Sequence, residues 1–178
     1  MSKKTITTGL VIVIVFQIMV LAGEYLGAIY PLWSGEEIRL KTVPVDPRSL
    51  FRGNYARLRY GISSIEGKYL SEKKDLRNGE VVYVKLKPDA DGLYVFDGVS
   101  LKKPESGPFI RGRLQGKHSQ RKDVFYNVRY GIEAYFAPKE KAQALEKKLR
   151  NGGVAIVMIA GNGKASLKKV ITNRSKGS

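Results

Sequence analysis

The run "ITTGLVIVIVFQIMVLAG", Ile6 to Gly23, carries a single strongly polar side chain, Gln17, among eighteen residues. A helix that crosses a bilayer needs about 20 mostly apolar residues, so this stretch constrains the chain's surroundings before anything is said of its fold. The continuation "EYLGAIYPLW" supplies a last turn, with Tyr25, Tyr30 and Trp33 as an interfacial aromatic belt. Signal peptides share the basic start at Lys3 and Lys4, and Val20 to Ala22 has the small-residue pattern that signal peptidase accepts. The apolar run exceeds the roughly 7–15 residues of a signal peptide core, which favours an uncleaved anchor over residues 1–33. A buried core helix is the third reading, and an all-round apolar surface at the chain end opposes it.

Orientation follows from the flanks. Lys3 and Lys4 precede the run, whereas Glu24, Glu36 and Glu37 come before the next basic residues, Arg39 and Lys41. The flank richer in Lys and Arg stays cytoplasmic, so the expectation is a single-pass protein of the cytoplasmic membrane with its C-terminal domain outside. The chain carries 32 Lys and Arg against 16 Asp and Glu, a formal charge of +16. Such a field draws anionic partners: lipid head groups, an envelope polymer or nucleic acid. With no cysteine there is no disulfide frame, thiolate metal site or thiol nucleophile.

Residues 34–172 read as a β-rich domain of mainly β (α+β) class, shaped as a barrel or sandwich, and residues 173–178 as a disordered tail. "EEIRLKTVPV" alternates imperfectly through Ile38, Leu40 and Val43. "EVVYVKLKP" and "GLYVFDGVSL" flank the hairpin signal "DADG", and "FIRGRLQG" gives a further strand. "VFYNVRYGIEAYFAP" is the longest strand pattern. Pro138 then opens the one helix of the C-terminal half, which Gly152 and Gly153 stop. The chain closes with two strands across Gly161-Asn162-Gly163.

An internal echo cuts across these elements. "YARLRYGIS", Tyr55 to Ser63, overlays "FYNVRYGIE", Phe125 to Glu133, with Arg59-Tyr60-Gly61-Ile62 on Arg129-Tyr130-Gly131-Ile132. Alternation turns Ala56, Leu58, Tyr60 and Ile62 inward, and likewise Tyr126, Val128, Tyr130 and Ile132. The opposite faces then carry Arg57 and Arg59, and Asn127, Arg129 and Glu133. The two strands are expected to be neighbours or pseudo-symmetry mates, or simply strands sharing favoured residues.

"PVDPRSLFRGNYARLRY", Pro44 to Tyr60, leads into the first of them. Asp46 before Pro47 is a helix N-cap with proline at the first helical position, and Gly53 suits a left-handed C-terminal cap. Arg48 and Arg52 then project outward. This stretch resembles the signature of the GDYXXLXY family of bacterial membrane-anchored proteins, and "RYGIEAYFAPKEKAQALE" is similar to that family's second characteristic run. Asn54 stands where the name-giving aspartate is usual, and Ser49 where another aspartate is common. A backbone-capping role tolerates Asn for Asp, so the departure favours a structural role at position 54. The resemblance implies no established activity, and it implies the company of polytopic membrane proteins.

Catalytic constellations are weak. The only histidine, His118, falls in "QGKHSQRKD", which reads as a solvated loop. Ser49 lacks a marked lysine for a Ser-Lys dyad, "PDADG" lacks the ligands of a calcium loop, and no cofactor is expected. Glu133 reads as an ion-pair partner of Arg57, Arg59 or Arg129. The leading expectation is a non-enzymatic extracytoplasmic domain that binds a membrane-protein partner or an anionic envelope ligand. Asp46, Arg48, Arg52, Tyr55, Arg57, Arg59, Arg129 and Glu133 form its surface, and Pro47, Gly53, Asn54, Tyr60 and Tyr130 its structural motif. The alternatives are an envelope polymer- or peptide-processing enzyme using Glu133 or Tyr135 in a cleft between the echoing strands, and a nucleic-acid-binding domain. The nucleic-acid reading is disfavoured because its tyrosines face the core. A concave pocket of converging Arg, Tyr and Glu133 favours the enzyme, and a flat or rimmed patch the interaction module.

Overall fold

The computed structural model describes residues 3–44, 55–70, 76–120, 123–149 and 152–172. Helix α1, Lys3–Ser34, absorbs the apolar run and the aromatic continuation in one piece. Its most apolar eighteen residues reach a mean hydropathy of 2.4 with none of that window buried, so it is long and apolar enough to cross a membrane. Pro31 lies inside the helix and has no N–H for the carbonyl of Gly27 one turn back. Lys164 Nζ supplies that donor at 2.5 Å, and Ser166 Oγ donates to the next carbonyl, of Ala28, at 3.2 Å. The carbonyl freed by the proline is thus where the helix meets the following domain. Pro31 is buried there, and Gly35 N donates to its carbonyl at 2.9 Å. A Cβ on Gly35 would lie 2.3 Å from that oxygen, so the junction needs glycine.

Ten strands follow among the described residues: β1 (Glu36–Thr42), β2 (Tyr55–Arg57), β3 (Ser64–Glu66), β4 (Val81–Pro88), β5 (Tyr94–Ser100), β6 (Phe109–Gln120), β7 (Asp123–Arg129), β8 (Ala134–Phe136), β9 (Gly153–Ile159) and β10 (Ala165–Thr172). Eight of them form one sheet in the order β10-β9-β1-β5-β4-β6-β7-β3, antiparallel except where β1 meets β5 at Leu40 and Tyr94. β2 and β8 pair separately. The large sheet curls until the β9–β10 turn reaches β6, where Arg111 N donates to Gly163 O at 2.8 Å. It does not close on itself among the described residues, so the barrel form of the expectation gives way to an open curled sheet. Helix α2 (Lys139–Leu149) starts directly after Pro138, packs on β2 and β10, and buries Ala142 and Leu149.

Period-two alternation builds the core: Ile38 and Leu40 from β1, Val82, Val84 and Leu86 from β4, Ile110 and Leu114 from β6, and Ala155, Val157 and Ile159 from β9. In β1 the third inward position is Thr42, not Val43, which is only half-buried. The Thr42 hydroxyl is buried without a hydrogen-bond partner. Thr42→Val is therefore expected to stabilise the domain by about 1 kcal/mol, read as a higher midpoint in urea unfolding.

The hairpin signals hold. At "DADG" the Asp89 carboxylate accepts from Asp91 N and Leu93 N at 3.0 and 2.8 Å, and Gly92 takes φ +71°. At "GNG" the Asn162 Oδ1 accepts from Lys164 N, and Gly163 takes φ +79°. Two expectations fail. "VFYNVRYGIEAYFAP" is not one strand, because Gly131 at φ +86° breaks it into β7 and β8, which belong to different sheets. "QGKHSQ" is not a loop, because it completes β6, the longest strand.

Candidate functional site

The two echoing segments pair with each other. Tyr55, Ala56 and Arg57 lie opposite Phe136, Tyr135 and Ala134, and Ser64, Ile65 and Glu66 lie opposite Asn127, Tyr126 and Phe125. The seventy-residue offset that overlays the echo converts one set into the other: Tyr55 becomes Phe125, and Phe136 becomes its partner Glu66. The segments are therefore mates about an approximate two-fold axis, which passes between Tyr60–Gly61 and Tyr130–Gly131.

The tyrosines of the repeated Arg-Tyr-Gly-Ile complete the exchange. Tyr60 Oη donates to Ile132 O and Tyr130 Oη donates to Ile62 O, each at 2.5 Å. Both rings are buried, with Ala56, Leu58, Ile62, Val128 and Ile132 around them, as alternation predicts; Tyr126 is only half-buried. Burial pushes both phenols well above their usual range, and the negative charge of Glu133 adds to it. These hydroxyls are structural donors and stay neutral.

Past each tyrosine the halves differ. Tyr60 N donates to Ser63 Oγ at 3.2 Å, and residues Gly61–Ser63 form a 3-10 turn. At the equivalent place Glu133 does more: Oε1 accepts from Tyr130 N at 2.6 Å and Oε2 from Gly131 N at 3.0 Å. Its contact with Arg129 Nε is long, 3.8 Å, and the arginine is largely exposed, so this ion pair contributes little. Glu133 is a turn-former first and an ion-pair partner second.

Outward from this core lies a half-open groove of about 830 Å³. Tyr55, Arg57 and Arg59 line it from one segment, and Asn127, Arg129 and Glu133 from the other. β6 contributes Gln115 and His118. His118 stacks on Phe125, with centroids 5.6 Å apart and planes 18° apart, and its Nδ1 lies 3.4 Å from Asn127 Nδ2. At the opposite end Tyr55 packs against the exposed ring of Phe136 at 5.9 Å. The groove is a track of cations and amides with an aromatic pair at each end. Arg59 makes no ion pair among the described residues.

The structure thus gathers Tyr55, Arg57, Arg59, Arg129 and Glu133 in one place and sets Tyr60 and Tyr130 beneath them. Asp46, Arg48 and Arg52, and the corner residues Pro47, Gly53 and Asn54, lie outside the described residues. Tyr135 is half-buried and packs on the core, not into the groove. Sequence reasoning missed His118 and Gln115. The signal for them is β6 running on past the core to pair with β7, which no apolar alternation announces. No group of three or more potential metal-ligating His, Asp or Glu side chains gathers among the described residues.

An N-terminal apolar helix joined to an open, curled sheet, with two mutually paired Arg-Tyr-Gly-Ile segments under a cationic groove, defines a helix-tethered β-domain protein. Residues 17–170 match the family model described as GDYXXLXY protein, and the chain belongs to that family. Neither the curated proteins nor the solved structures gave a significant match. The family's fixed letters fall on Gly53 to Tyr60, with Asn54 for aspartate, and the structure explains the last two: Leu58 and Tyr60 are core. Arg57 and Arg59 fall on letters that the family's name leaves unspecified.

Proposed function

We propose that the chain is a single-pass membrane protein, anchored by α1, whose extracytoplasmic sheet domain captures an anionic ligand in the arginine-lined groove. That ligand is an envelope component or the acidic surface of a membrane-protein partner. Support for the orientation comes from Lys3 and Lys4 before the apolar run. One observation carries the binding reading: Arg59 and Arg129 line the groove from its two segments, and Glu133, its one carboxylate among the described residues, is committed to two backbone amides. Arginine suits phosphate and carboxylate because its planar fork bonds them in a bidentate way.

The concavity of the groove favours an enzyme as second reading. Against it, the Tyr60 and Tyr130 hydroxyls are buried in structural bonds, and Ser63 Oγ accepts from Tyr60 N. His118 is the one remaining acid/base candidate among the described residues of the lining.

The test uses the full chain in nanodiscs and a heparin oligosaccharide at low salt. Arg59→Gln with Arg129→Gln should weaken binding about tenfold or more, whereas Arg39→Gln with Lys41→Gln, exposed on β1 away from the groove, should change it little. Equal losses in the two pairs would reduce the effect to net charge and end the groove reading. Reporters fused to the C-terminus and active on only one side of the membrane test topology, and a cytoplasmic signal would overturn the orientation.

A further inference from the structure

Resting on the groove reading, we infer that the ligand presents two adjacent anionic groups across a bridging atom, and that its chemistry is that of a diphosphate. The axis relating the echoing segments passes between Tyr60–Gly61 and Tyr130–Gly131, so Arg59 and Arg129 are the outward-facing side chains nearest to it, one on each side. Next along on each segment come Gly61 and Gly131, which carry no side chain, and a Cβ at either would meet nothing within 4 Å. The centre of the groove is therefore open, and two guanidiniums at corresponding positions flank the opening, Arg129 with Glu133 beside it and Arg59 without an ion-pair partner among the described residues.

A ligand that uses both equally must itself have a local two-fold centre. A bridging oxygen between two phosphoryl groups is such a centre, with one charge and one set of acceptor oxygens on either side for a bidentate arginine. The charges also match. Arg59 and Arg129 bring one guanidinium to each side of the centre, and a doubly esterified diphosphate carries one negative charge on each phosphorus. A single phosphate presents one centre of charge, and a diphosphate adds a second phosphoryl group on the same molecule, so that each central arginine has its own bidentate partner.

The two halves are not identical, and the difference sets a direction. Beyond Arg59 lies Arg57, then Tyr55 against Phe136; beyond Arg129 lies Asn127, then Phe125 against His118. The substituent on the Arg59 side meets a further cation, and the one on the Arg129 side meets amides that suit hydroxyl or carbonyl groups. The diphosphate is thus read as the middle of a longer molecule, asymmetrically substituted.

The experiment titrates full-length protein in nanodiscs with pyrophosphate, orthophosphate and malonate by calorimetry at low salt. The result expected is pyrophosphate binding about tenfold or more tighter than orthophosphate, and tighter than malonate. Arg59→Gln and Arg129→Gln should each remove most of that preference, since either change leaves only one of the two phosphoryl groups held by a central arginine. Circular dichroism of the variants keeps a folding defect apart from a binding one. A second arm compares nanodiscs doped with a polyprenyl diphosphate against those doped with the monophosphate: a preference there exceeding that for soluble pyrophosphate assigns the diphosphate to a lipid, and the reverse assigns it to a soluble ligand. Equal affinity for pyrophosphate and orthophosphate, or a preference for malonate, overturns the diphosphate while leaving an anion-binding groove if heparin still depends on the two arginines. Loss of that heparin dependence removes both readings together.

Discussion

Tyr60→Phe combined with Tyr130→Phe is expected to lower the stability of the sheet domain by roughly 2–5 kcal/mol, although it removes only two oxygen atoms. Each hydroxyl donates to a main-chain carbonyl of the other segment at 2.5 Å, and each phenylalanine leaves that buried carbonyl without its donor. The bonds are reciprocal, so losing one loosens the geometry of the other. The second substitution should then cost less than the first, with a coupling of about 0.5–3 kcal/mol in a double-mutant cycle. The pH dependence is a second signature. Both phenols are held neutral in the folded protein, chiefly by burial and then by Glu133. The unfolded chain therefore releases these protons first, as pH rises past about 10, and is favoured from there upward. Stability is complete below pH 10 and falls above it by about 1.4 kcal/mol per pH unit for each tyrosine. Urea midpoints of the full-length protein in detergent, taken from pH 8 to pH 11, should drop steeply for the native chain and much less for the double variant. An unchanged alkaline slope in the variant would mean that these two tyrosines do not set it.

The echo was legible because its inward set is apolar and aromatic at every second position: Ala56, Leu58, Tyr60 and Ile62 are all buried, as are Val128, Tyr130 and Ile132. Periodicity in a single strand names a face but not a partner, which is why the pairing of segments seventy residues apart, and hence the groove, could be stated only as an alternative. The break at Gly131 was hidden for a different reason. "VFYNVRYGIEAYF" has strand-forming residues throughout, and the kink depends on Glu133 reaching back to two amides, a local bond that outweighs strand propensity. β6 misled in the opposite direction. Its distal half, Gln115 to Gln120, has no apolar alternation, yet it is strand because β7 offers a main-chain ladder and Phe125 a face for His118. The helix–sheet junction was illegible as well: Pro31 leaves the Gly27 carbonyl in need of a donor, but only the fold shows that Lys164 provides it.

Gly112→Val is expected to destabilise the domain by about 3 kcal/mol, close to the largest cost that overpacking usually brings. Gly112 lies buried in β6, directly beneath the echo. A Cβ there would stand 2.3 Å from a Val128 methyl carbon and 2.9–3.0 Å from two atoms of the Tyr130 ring. Neither neighbour has room to retreat. Val128 is held opposite Leu114 by the pairing of β7 with β6, and Tyr130 is pinned at its far end by the bond from its hydroxyl to Ile62 O. Moving the ring would break that bond, so the cost of the clash and the cost of the lost donor arise together and not independently. Gly112→Ala should show the same effect at smaller size, since replacing strand glycine also gains some backbone entropy. The informative measurement combines the substitutions. In a Tyr130→Phe background the ring is no longer tied to Ile62 and is free to tilt, so Gly112→Val should cost about 1 kcal/mol less than in the native chain. If the cost is the same in both backgrounds, the hydroxyl does not position the ring, and the reciprocal tyrosine bonds lose their role as the fixed point on which the groove above them is built.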